Sequence, residues 1–314
     1  MDLKFVSTIG ILLFSQLLLS QTSSKILSFP DKITTRVNLQ TTSNSFILRD
    51  KITRNKTEFI PNDKSYLGLS VSFRALELDL GYAPNFLSEN KDNGDSKLIT
   101  LNARMFFDHV MQTIDFYKQK GFFVRTQDIT LPVDDLKTLK IGGSTNYIFN
   151  SDFSFRAIGF QNEWQTESAG SFIPGASYYY TKFKLEDPLL DNQLEHSFKF
   201  AVGPGYYYNW VFNENYIVSA GGIGGLGFNL SKSAGETSLT GLAQLIFRLS
   251  GGYNSTSFFT GVTMNTQLLT HSSVENLILD DSISFLEFYV GYRFDAPKKW
   301  IDKANEINRK FGWD

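Results

Sequence analysis

The sequence lacks the residues on which cysteine and histidine chemistry depends. Its 314 residues include no cysteine and only three histidines, His109, His196 and His271. The chain therefore forms no disulfide, offers no thiolate to a metal, and has neither a cysteine nucleophile nor a lipidated N-terminal cysteine. With so few histidines, we predict no metal site, no cofactor and no catalytic residue, and hence a protein that is not an enzyme.

The chain also has no excess of either charge. It contains 30 Lys and Arg and 32 Asp and Glu, a net charge of -2. This balance gives no basic surface for nucleic acid, so we predict no nucleic-acid partner. Beyond the N-terminus, the sequence has no run of about 18 apolar residues, which a membrane-spanning helix requires.

The first residues have the composition of a secretory signal peptide. Lys4 precedes an apolar run from Ile9 to Leu19, and small or polar residues follow. The run is too short and too poorly flanked for a spanning helix. We predict that residues 1–21 are a signal peptide and that the chain is exported; an uncleaved anchor is the alternative.

From about Ser65 to Phe294 the dominant pattern has a period of two. In "FKFAVGPGYYYNWVF" (198–212) one face is apolar, and the other carries Lys199, Ala201, Gly203 and Asn209. Alternation of this kind indicates β-strands. The pattern predicts about twelve strands, centred near Leu69, Leu78, Ala103, Phe116, Ser144, Ile158, Ala176, Gly203, Gly222, Ala243, Val262 and Phe288.

These features predict an all-β protein, a transmembrane antiparallel up-and-down β-barrel over residues 65–294. Residues 22–64 form a separate N-terminal segment, either an extra strand or a plug, and residues 295–314 form a periplasmic tail. Short turns at Asn213–Asn215 and Asn254–Thr256 and longer loops at 186–195, 231–237 and 271–282 fit the asymmetry of outer-membrane barrels. The same strand count places the two-residue turn at Arg74–Ala75 on the extracellular side, where outer-membrane barrels have their longer loops.

Alternation is common to soluble β-proteins and membrane barrels, but a signal peptide, long strands and aromatic strand ends favour the membrane. Six charged residues are predicted to line the lumen: Arg104, Arg156, Lys199, Arg248, Glu287 and Arg293. Six aromatic residues are predicted to lie at the lipid interface: Tyr178, Tyr180, Trp210, Phe212, Tyr253 and Phe294. The lumen charges either form an internal salt-bridge network or line a selective pore.

Four stretches carry a family resemblance: "SAGSFIPGASYYY", "KSYLGLSVSFRALELDLGY", "IDFYKQKGFFV" and "LKIGGSTNYIFNSDFSFRAIGFQNEWQ". Together they resemble the outer-membrane β-barrel family described as domain of unknown function 4421, over roughly residues 33–294. The resemblance implies a barrel in the outer membrane of a Gram-negative bacterium. It implies no activity and no catalytic residues.

After Phe294 the pattern becomes helical. Trp300, Ala304, Ile307 and Phe311 recur at helical spacing with charges between them, which predicts a short amphipathic helix. This face either packs on the rim of the barrel or docks a protein of the cell envelope.

Three motifs in the sequence resemble sites of chemistry. Gly222, Gly224 and Gly227 have G-x-G-x-x-G spacing, but no helix start follows, so a glycine-rich strand is the better interpretation. "ENKDNGDSK" (89–97) lacks the spaced acids of a calcium loop. His196 and Ser197 point to opposite faces of one strand and cannot act directly as a hydrolytic pair.

The sequence therefore predicts an outer-membrane barrel embedded in lipid. The leading functional hypothesis is a narrow channel or a transport component for a small solute or lipid, with the solute unknown. The alternative is a structural or partner-docking barrel with a filled lumen, and a secreted soluble β-protein is a weaker third.

Overall fold

The structure is a computed structural model that describes residues 25–61, 64–84, 97–127, 129–159, 162–185, 193–233, 235–274 and 277–311. The predicted signal peptide, residues 1–21, lies outside the described residues. Within the described ranges, no helix is long and apolar enough to cross a membrane.

The described chain forms seventeen strands and one α-helix. The strands are β1 (Ile26–Ser28), β2 (Lys32–Asp50), β3 (Lys56–Pro61), β4 (Lys64–Phe73), β5 (Leu76–Tyr82), β6 (Lys97–Phe107), β7 (Val110–Arg125), β8 (Thr130–Tyr147), β9 (Glu163–Gln165), β10 (Ala169–Phe172), β11 (Gly175–Leu185), β12 (Gln193–Gly203), β13 (Gly205–Phe212), β14 (Tyr216–Ser233), β15 (Glu236–Asn254), β16 (Phe258–Val274) and β17 (Leu277–Asp295). The helix is α1 (Lys298–Phe311).

Twelve of these strands form a closed antiparallel ring. The order is β2, β4, β5, β6, β7, β8, β11, β12, β14, β15, β16 and β17, and β17 pairs with β2 along its length. β10 and β13 continue β11 and β12, and β3 continues the line of β4 beside β2 and β7. Within the described residues, each of the twelve strands pairs with a neighbour on both sides, so the ring has no free edge. The predicted antiparallel barrel of about twelve strands is confirmed.

The two ends of the barrel differ. One end holds the start of β2, the end of β17 and the short connections at 74–75, 108–109, 213–215 and 255–257, and we call it the turn end. The opposite end, the loop end, holds the longer intervals from 83 to 96 and from 186 to 192. Strands such as β15, with 19 residues, exceed the 9–11 or so residues that span a bilayer.

Alternating side chains give the barrel an apolar outside and a polar inside. On β5, Leu76, Leu78 and Leu80 are 43%, 42% and 56% exposed, whereas Glu77 between them is 4% exposed. A soluble barrel would bury the leucines and expose the carboxylate. The reversed arrangement suits a wall that faces lipid and a lumen in which polar groups bond to each other.

The structure changes two strand assignments, and the two changes cancel in the strand count. The assignment of a wall strand around Ile158 is wrong, because these residues belong to a segment folded inside the lumen, with a 3₁₀ turn at Arg156–Gly159. Of the two alternatives for residues 22–64, the structure shows the extra strand, because β2 is a full wall strand and the barrel begins at Lys32, before residue 65. Removing one false strand before Ala176 reverses the sidedness upstream, which places Arg74–Ala75 at the turn end with the other short turns.

The loops were also predicted too long, because several strands continue past the point where alternation weakens. β14 and β15 extend into the interval 231–237, and β16 and β17 into the interval 271–282. These extensions lie at the loop end, where hydrogen bonding between strands continues beyond the thickness that lipid requires.

Two prolines interrupt neighbouring wall strands at the same level. Pro174 separates β10 from β11, and Pro204 separates β12 from β13. The strands resume with Gly175 opposite Gly203, and Phe172 opposite Tyr206. Because proline has no amide hydrogen, matched breaks in adjacent strands leave fewer ladder donors without partners than staggered breaks would.

Candidate functional site

Three charged side chains cross the lumen near its loop end. Asp281 of β17 accepts hydrogen bonds from Lys140 of β8 at 2.7 Å and from Lys199 of β12 at 2.5 Å. β8 and β17 lie six strands apart in a ring of twelve, so this contact joins opposite walls. The Asp281 side chain is 0% exposed. A buried charge lowers stability unless it is paired, and here both lysines pair with the Asp281 carboxylate.

An apolar cluster covers this ion triad on its loop side. Phe46, Phe122 and Leu136 are buried and pack together, with Phe46 and Phe122 ring centroids 6.3 Å apart. The Lys140 ammonium lies 5.8 Å from the Phe46 ring centroid. We call these three residues with Lys140, Lys199 and Asp281 the loop-end seal, because all six are buried and their contacts join one wall of the lumen to the other.

On the turn-end side of the seal, paired charged side chains surround a small chamber. Its volume is about 130 Å³. Arg36 of β2 lies 3.0 Å from Asp79 and 3.3 Å from Glu287, and Arg104 lies 3.1 Å from Glu77. A chamber of this size with charged walls suits a few water molecules. The arginines cross-link β2, β5, β6 and β17.

On the opposite wall of the chamber, aromatic residues contact the charged side chains. The Tyr179 hydroxyl donates to Asp115 at 2.8 Å. The Arg248 guanidinium lies 5.5 Å from the Phe155 ring centroid and donates to Asn265 at 3.4 Å. Cation–π contact of this kind supports an arginine with few carboxylate partners.

At the turn end, residues 148–159 and 162–168 lie inside the lumen, and we call them the insert. Its apolar side chains Phe153, Phe155 and Ile158 are buried in one cluster with Tyr207 and Ile223 of the wall. Burial of these side chains is the main driving force that holds the insert inside the barrel.

Hydrogen bonds to the wall fix the position of the insert. Asn209 of β13 donates to Gln165 at 2.7 Å and to the Ser154 carbonyl at 3.0 Å. Ser250 of β15 donates to the Ile158 carbonyl at 2.9 Å. These bonds satisfy backbone groups of a non-helical segment that lipid or an apolar core would leave unpaired.

Residues 25–28, the first that the structure describes, contact the insert. β1 pairs with β9, the strand within the insert, with Leu27 opposite Trp164. Lys25 donates to Asp152 at 2.8 Å and lies 3.8 Å from Glu167. The hydrogen bond to Asp152 and the charges of both carboxylates raise the pKa of Lys25 above its usual value.

A larger cavity of about 510 Å³ opens at the turn end, between the insert and the wall. We call it the mouth cavity. Charged residues of both signs line it, including Arg74, Asp108, Arg156 and Glu163. Phe155 borders both the mouth cavity and the central chamber, so its ring separates the two.

The structure places the six predicted lumen charges inside the barrel, but not as one site. Arg104, Arg248 and Glu287 surround the central chamber, and Lys199 belongs to the loop-end seal. Arg156 pairs with Glu163 within the insert at 3.0 Å. Arg293 lies at the turn end, where it donates to Asn254 at 2.9 Å between the rings of Phe29 and Phe259.

Several lumen residues were missed for identifiable reasons. Arg36 belongs to the segment that was set outside the barrel, and Asp281 to an interval assigned as a loop. Lys140 was readable from the sequence, because in "LKIGGSTNY" it shares its face with Gly142, Ser144 and Asn146. Pairing across the lumen has no sequence signal, since the partners are distant along the chain.

Four of the six predicted interfacial aromatics, Trp210, Phe212, Tyr253 and Phe294, lie near the turn end. Tyr178 and Tyr180 are instead within β11, where their hydroxyls contact Gln112 at 2.5 Å and His196 at 2.6 Å; their assignment to a strand end is wrong. The turn end carries a broader belt of exposed aromatics, comprising Tyr147, Phe149, Phe172, Tyr206, Trp210, Phe212, Tyr216, Phe258, Tyr292 and Phe294.

The predicted apolar face of α1 is not a single packed face. Ala304 is half-buried together with Ile301 and Asn308, so these three mark the side turned to the barrel. Trp300 and Ile307 are 52% and 38% exposed. Phe311 ends the helix. The apolar stripe of the sequence is therefore wider than the contact that the barrel provides.

The three motifs that resembled sites of chemistry remain structural or outside the described residues. Gly222, Gly224 and Gly227 lie in the interior of β14, a wall strand. Nearly all of residues 89–97 lie outside the described residues. Among the residues that the structure describes, no group of three His, Cys, Asp or Glu side chains could hold a metal ion.

The three histidines are far from one another in the ring. The His109 ring contacts the Ile148 carbonyl at 2.7 Å at the turn end, and His196 of β12 contacts the hydroxyl of Tyr180 of β11 at 2.6 Å. His271 is buried on the lumen side of β16. His109 also lies 3.8 Å from Asp108, but these contacts include no serine hydroxyl, which a hydrolytic triad needs.

Comparison with solved structures finds outer-membrane proteins at low identity. The outer membrane protease OmpT from Escherichia coli is 7% identical, with 85% of this chain and 98% of that chain covered and a TM-score of 0.36. The attachment invasion locus protein Ail of Yersinia pestis is 9% identical, with 85% and 100% covered and a TM-score of 0.21. OprG from Pseudomonas aeruginosa is 13% identical, with 85% and 97% covered and a TM-score of 0.25. Scores this low carry no argument about activity.

Among curated proteins, the sequence comparison finds no match. A family model does match, over residues 24–294, from just before β1 to the last residues of β17. This range contains the twelve-strand ring and the insert and leaves out α1. The chain therefore belongs to the family described as Domain of unknown function (DUF4421).

Proposed function

We propose that the protein is an outer-membrane barrel with a closed lumen, which serves as a structural or partner-docking component of the envelope and not as an enzyme or an open channel. The observation that carries this proposal is the contact of Asp281 with Lys140 and Lys199, which joins opposite walls across the lumen.

The apolar outer face supports placement in a membrane, and the connections support its orientation. Outer-membrane barrels have short periplasmic turns and longer extracellular loops. The turn end, with its short connections and aromatic belt, therefore faces the periplasm in this proposal. The loop end, with its protruding strands, faces the exterior.

Passage of a solute requires a continuous polar path through the barrel. Here the loop-end seal interrupts the path on one side and the insert on the other. The chamber between them is only about 130 Å³. Opening the seal would separate Asp281 from two buried lysines, a rearrangement that leaves uncompensated charge in the lumen.

The mouth cavity is the best candidate for docking on the periplasmic side. It has a volume of about 510 Å³ and presents both cationic and anionic side chains. Mixed charges favour a polar or peptide-like partner over a purely apolar one. An envelope protein is the partner class that such a surface fits.

A gated channel is the second candidate, and one observation favours it. Of the residues that the structure describes, Phe155 is the one that lines both the mouth cavity and the central chamber, so displacement of the insert would join them. Hydrophobic constrictions of this kind gate some channels. In that case the loop-end seal would have to open as well.

Conductance in planar bilayers tests both candidates. For the wild-type protein we expect no steady conductance, because both ends of the lumen are filled. For Phe155→Ala we also expect none, because the loop-end seal stays intact when the chamber joins the mouth cavity. Heat-modifiable gel migration verifies that each sample is folded before measurement.

The outcomes separate the two candidates. Steady conductance from folded wild-type protein contradicts the closed lumen. A silent wild type with a conducting Phe155→Ala variant supports the gated channel, with Phe155 as its constriction. Silence in both supports closure by the loop-end seal, which Phe155→Ala leaves intact; conductance that appears only when Phe155→Ala is combined with Asp281→Ala in folded protein supports the gated channel.

A further inference from the structure

The helix α1 starts at the periplasmic rim and lies at the lipid-facing edge of the barrel. Its start is tied to the wall by Ala296, whose amide donates to the Asp31 carbonyl at 2.8 Å. The Trp300 ring packs edge-on against Phe73, with centroids 6.1 Å apart. Phe73 shares the outer face of β4 with Leu69 and Val71, both exposed. Trp300 therefore continues the apolar outer band of the wall.

The helix presents three different sides. Ile301, Ala304 and Asn308 are half-buried against the barrel, and Asn308 borders the mouth cavity. Trp300 and Ile307, two turns apart, are exposed apolar residues on the adjacent side. Large apolar side chains left beside an apolar outer wall indicate a surface that is not in contact with water.

Basic residues flank the exposed apolar side. Lys299, Lys303 and Lys310 fall on one stripe of the helix at spacings of four and seven residues, next to Trp300 and Ile307. The helix contains five basic residues, Lys298, Lys299, Lys303, Arg309 and Lys310, against two acidic ones, Asp302 and Glu306, a net charge of +3. The whole chain carries -2, so positive charge is concentrated here.

We propose that α1 is an interfacial helix that binds the periplasmic leaflet of the membrane around the barrel. Trp300 and Ile307 enter the boundary between headgroups and acyl chains, and the lysine stripe contacts anionic phospholipid headgroups. Amphipathic helices with an aromatic residue on the apolar side and lysines on its flank bind membranes in this way. Tryptophan is favoured at that depth because its ring is apolar and its N–H is polar.

A lipid partner fits these observations better than a protein does. The exposed apolar side is narrow and continuous with the lipid-facing wall, so a protein docked there would have to displace lipid. The mouth cavity, by contrast, borders the other side of the helix. The inference requires membrane insertion of the barrel but does not depend on whether the lumen is closed.

Quenching of tryptophan fluorescence by brominated acyl chains tests the proposal on the full-length protein. A variant with Trp164→Phe, Trp210→Phe and Trp313→Phe keeps Trp300 as its single tryptophan. In brominated phosphatidylcholine vesicles containing phosphatidylglycerol, we expect Trp300 to lose most of its emission. Without phosphatidylglycerol, or at high salt, we expect a smaller loss, because screening weakens headgroup contacts.

Two further single-tryptophan variants calibrate the signal. Trp210, exposed on the wall, should be quenched in every vesicle. Trp164, whose indole N–H donates to the Glu214 carbonyl at 2.7 Å in the insert, should not be. Absence of quenching at Trp210 shows that the barrel has not inserted, which contradicts the proposed location and not the helix alone.

Removing the lysine stripe tests its role. Lys299→Gln, Lys303→Gln and Lys310→Gln together should reduce Trp300 quenching to the level seen without phosphatidylglycerol. The control removes three exposed lysines at the loop end, with Lys51→Gln, Lys56→Gln and Lys97→Gln, and should change nothing. If Trp300 emission resists quenching as strongly as Trp164 emission does, the proposal is overturned. If the quenching of Trp300 is the same with and without phosphatidylglycerol, the recognition of anionic headgroups is overturned.

Discussion

The two ends of the lumen are closed in different ways. The loop-end seal consists of side chains from the wall strands themselves, with charges joined across the barrel. The insert at the turn end is a separate segment that fills the lumen with apolar side chains and a few hydrogen bonds. Opening the first breaks ion pairs between wall strands, whereas displacing the second breaks apolar contacts and hydrogen bonds between the insert and the wall. In the closed barrel that we propose, the strand-borne contacts of the loop-end seal keep the lumen closed, and the insert is the part on which a docking partner acts.

The largest expected effect follows from removing the shared carboxylate of the loop-end seal. Asp281→Ala leaves Lys140 and Lys199 buried without their common partner, and we expect a loss of about 3–5 kcal/mol in the free energy of unfolding. Urea unfolding in detergent micelles, followed by tryptophan fluorescence, measures it.

The matched control removes an exposed carboxylate. Asp295 pairs with Lys32 at 3.1 Å, and its side chain is 91% exposed. Asp295→Asn should cost no more than about 1 kcal/mol. Similar losses for both variants would contradict the central role of the ion triad.

A smaller effect is expected from loosening the insert. Gln165 accepts hydrogen bonds from Asn209 at 2.7 Å and from the Ser154 amide at 2.9 Å. Gln165→Ala leaves buried donors unpaired, and we expect a loss of about 1–3 kcal/mol. Hydrogen exchange read by mass spectrometry should show faster exchange in residues 148–168 and unchanged exchange in β15–β17.

The distribution of exchange decides this prediction. Uniformly faster exchange over the wall and the insert would mean that the insert unfolds only with the barrel. Glu167→Gln, at an exposed residue 3.8 Å from Lys25, is the control and should leave exchange in the wall unchanged.

The smallest effect concerns pH. Because the pKa of Lys25 is raised in the folded protein by its contact with Asp152, the contact is fully present below the ordinary lysine pKa and is lost as pH rises through the raised value. We expect Trp164 emission to change in that alkaline range, since β9 pairs with β1 next to Lys25.

Lys25→Gln should remove the alkaline change, and Lys32→Gln should retain it. Lys32 is a suitable control because its partner Asp295 lies on the rim and not in the insert. An alkaline transition that persists in Lys25→Gln would assign the change to another group.

Much of the wall was predictable because its signal is local. A strand with one face in lipid and one in the lumen alternates residue by residue, as Leu76 to Leu80 show on β5. The predicted outward position of Phe294 and the inward position of Glu287 follow from phase alone. The strand ends were less predictable, because β-pairing at the loop end continues where the outer face no longer meets lipid.

The insert was not predictable from the same signal. Its apolar residues Phe153, Phe155 and Ile158 are buried inside the barrel, so they mimic the composition of a wall strand. Conversely, β2 was not counted among the twelve wall strands, because its central residues 40–45 are polar and interrupt the hydrophobic alternation. Only the ring of strand pairings distinguishes the two segments.

The sequence by itself determined the class of the protein: a barrel of about twelve antiparallel strands, apolar outside, with a short basic helix at the end. These properties depend on the spacing of apolar and charged residues along the chain, which the backbone period converts directly into faces. Tertiary structure decided which strands close the ring, which segment fills the lumen, and that Asp281 meets Lys140 and Lys199. Such contacts join residues more than 80 positions apart, and only closure of the sheet brings them together.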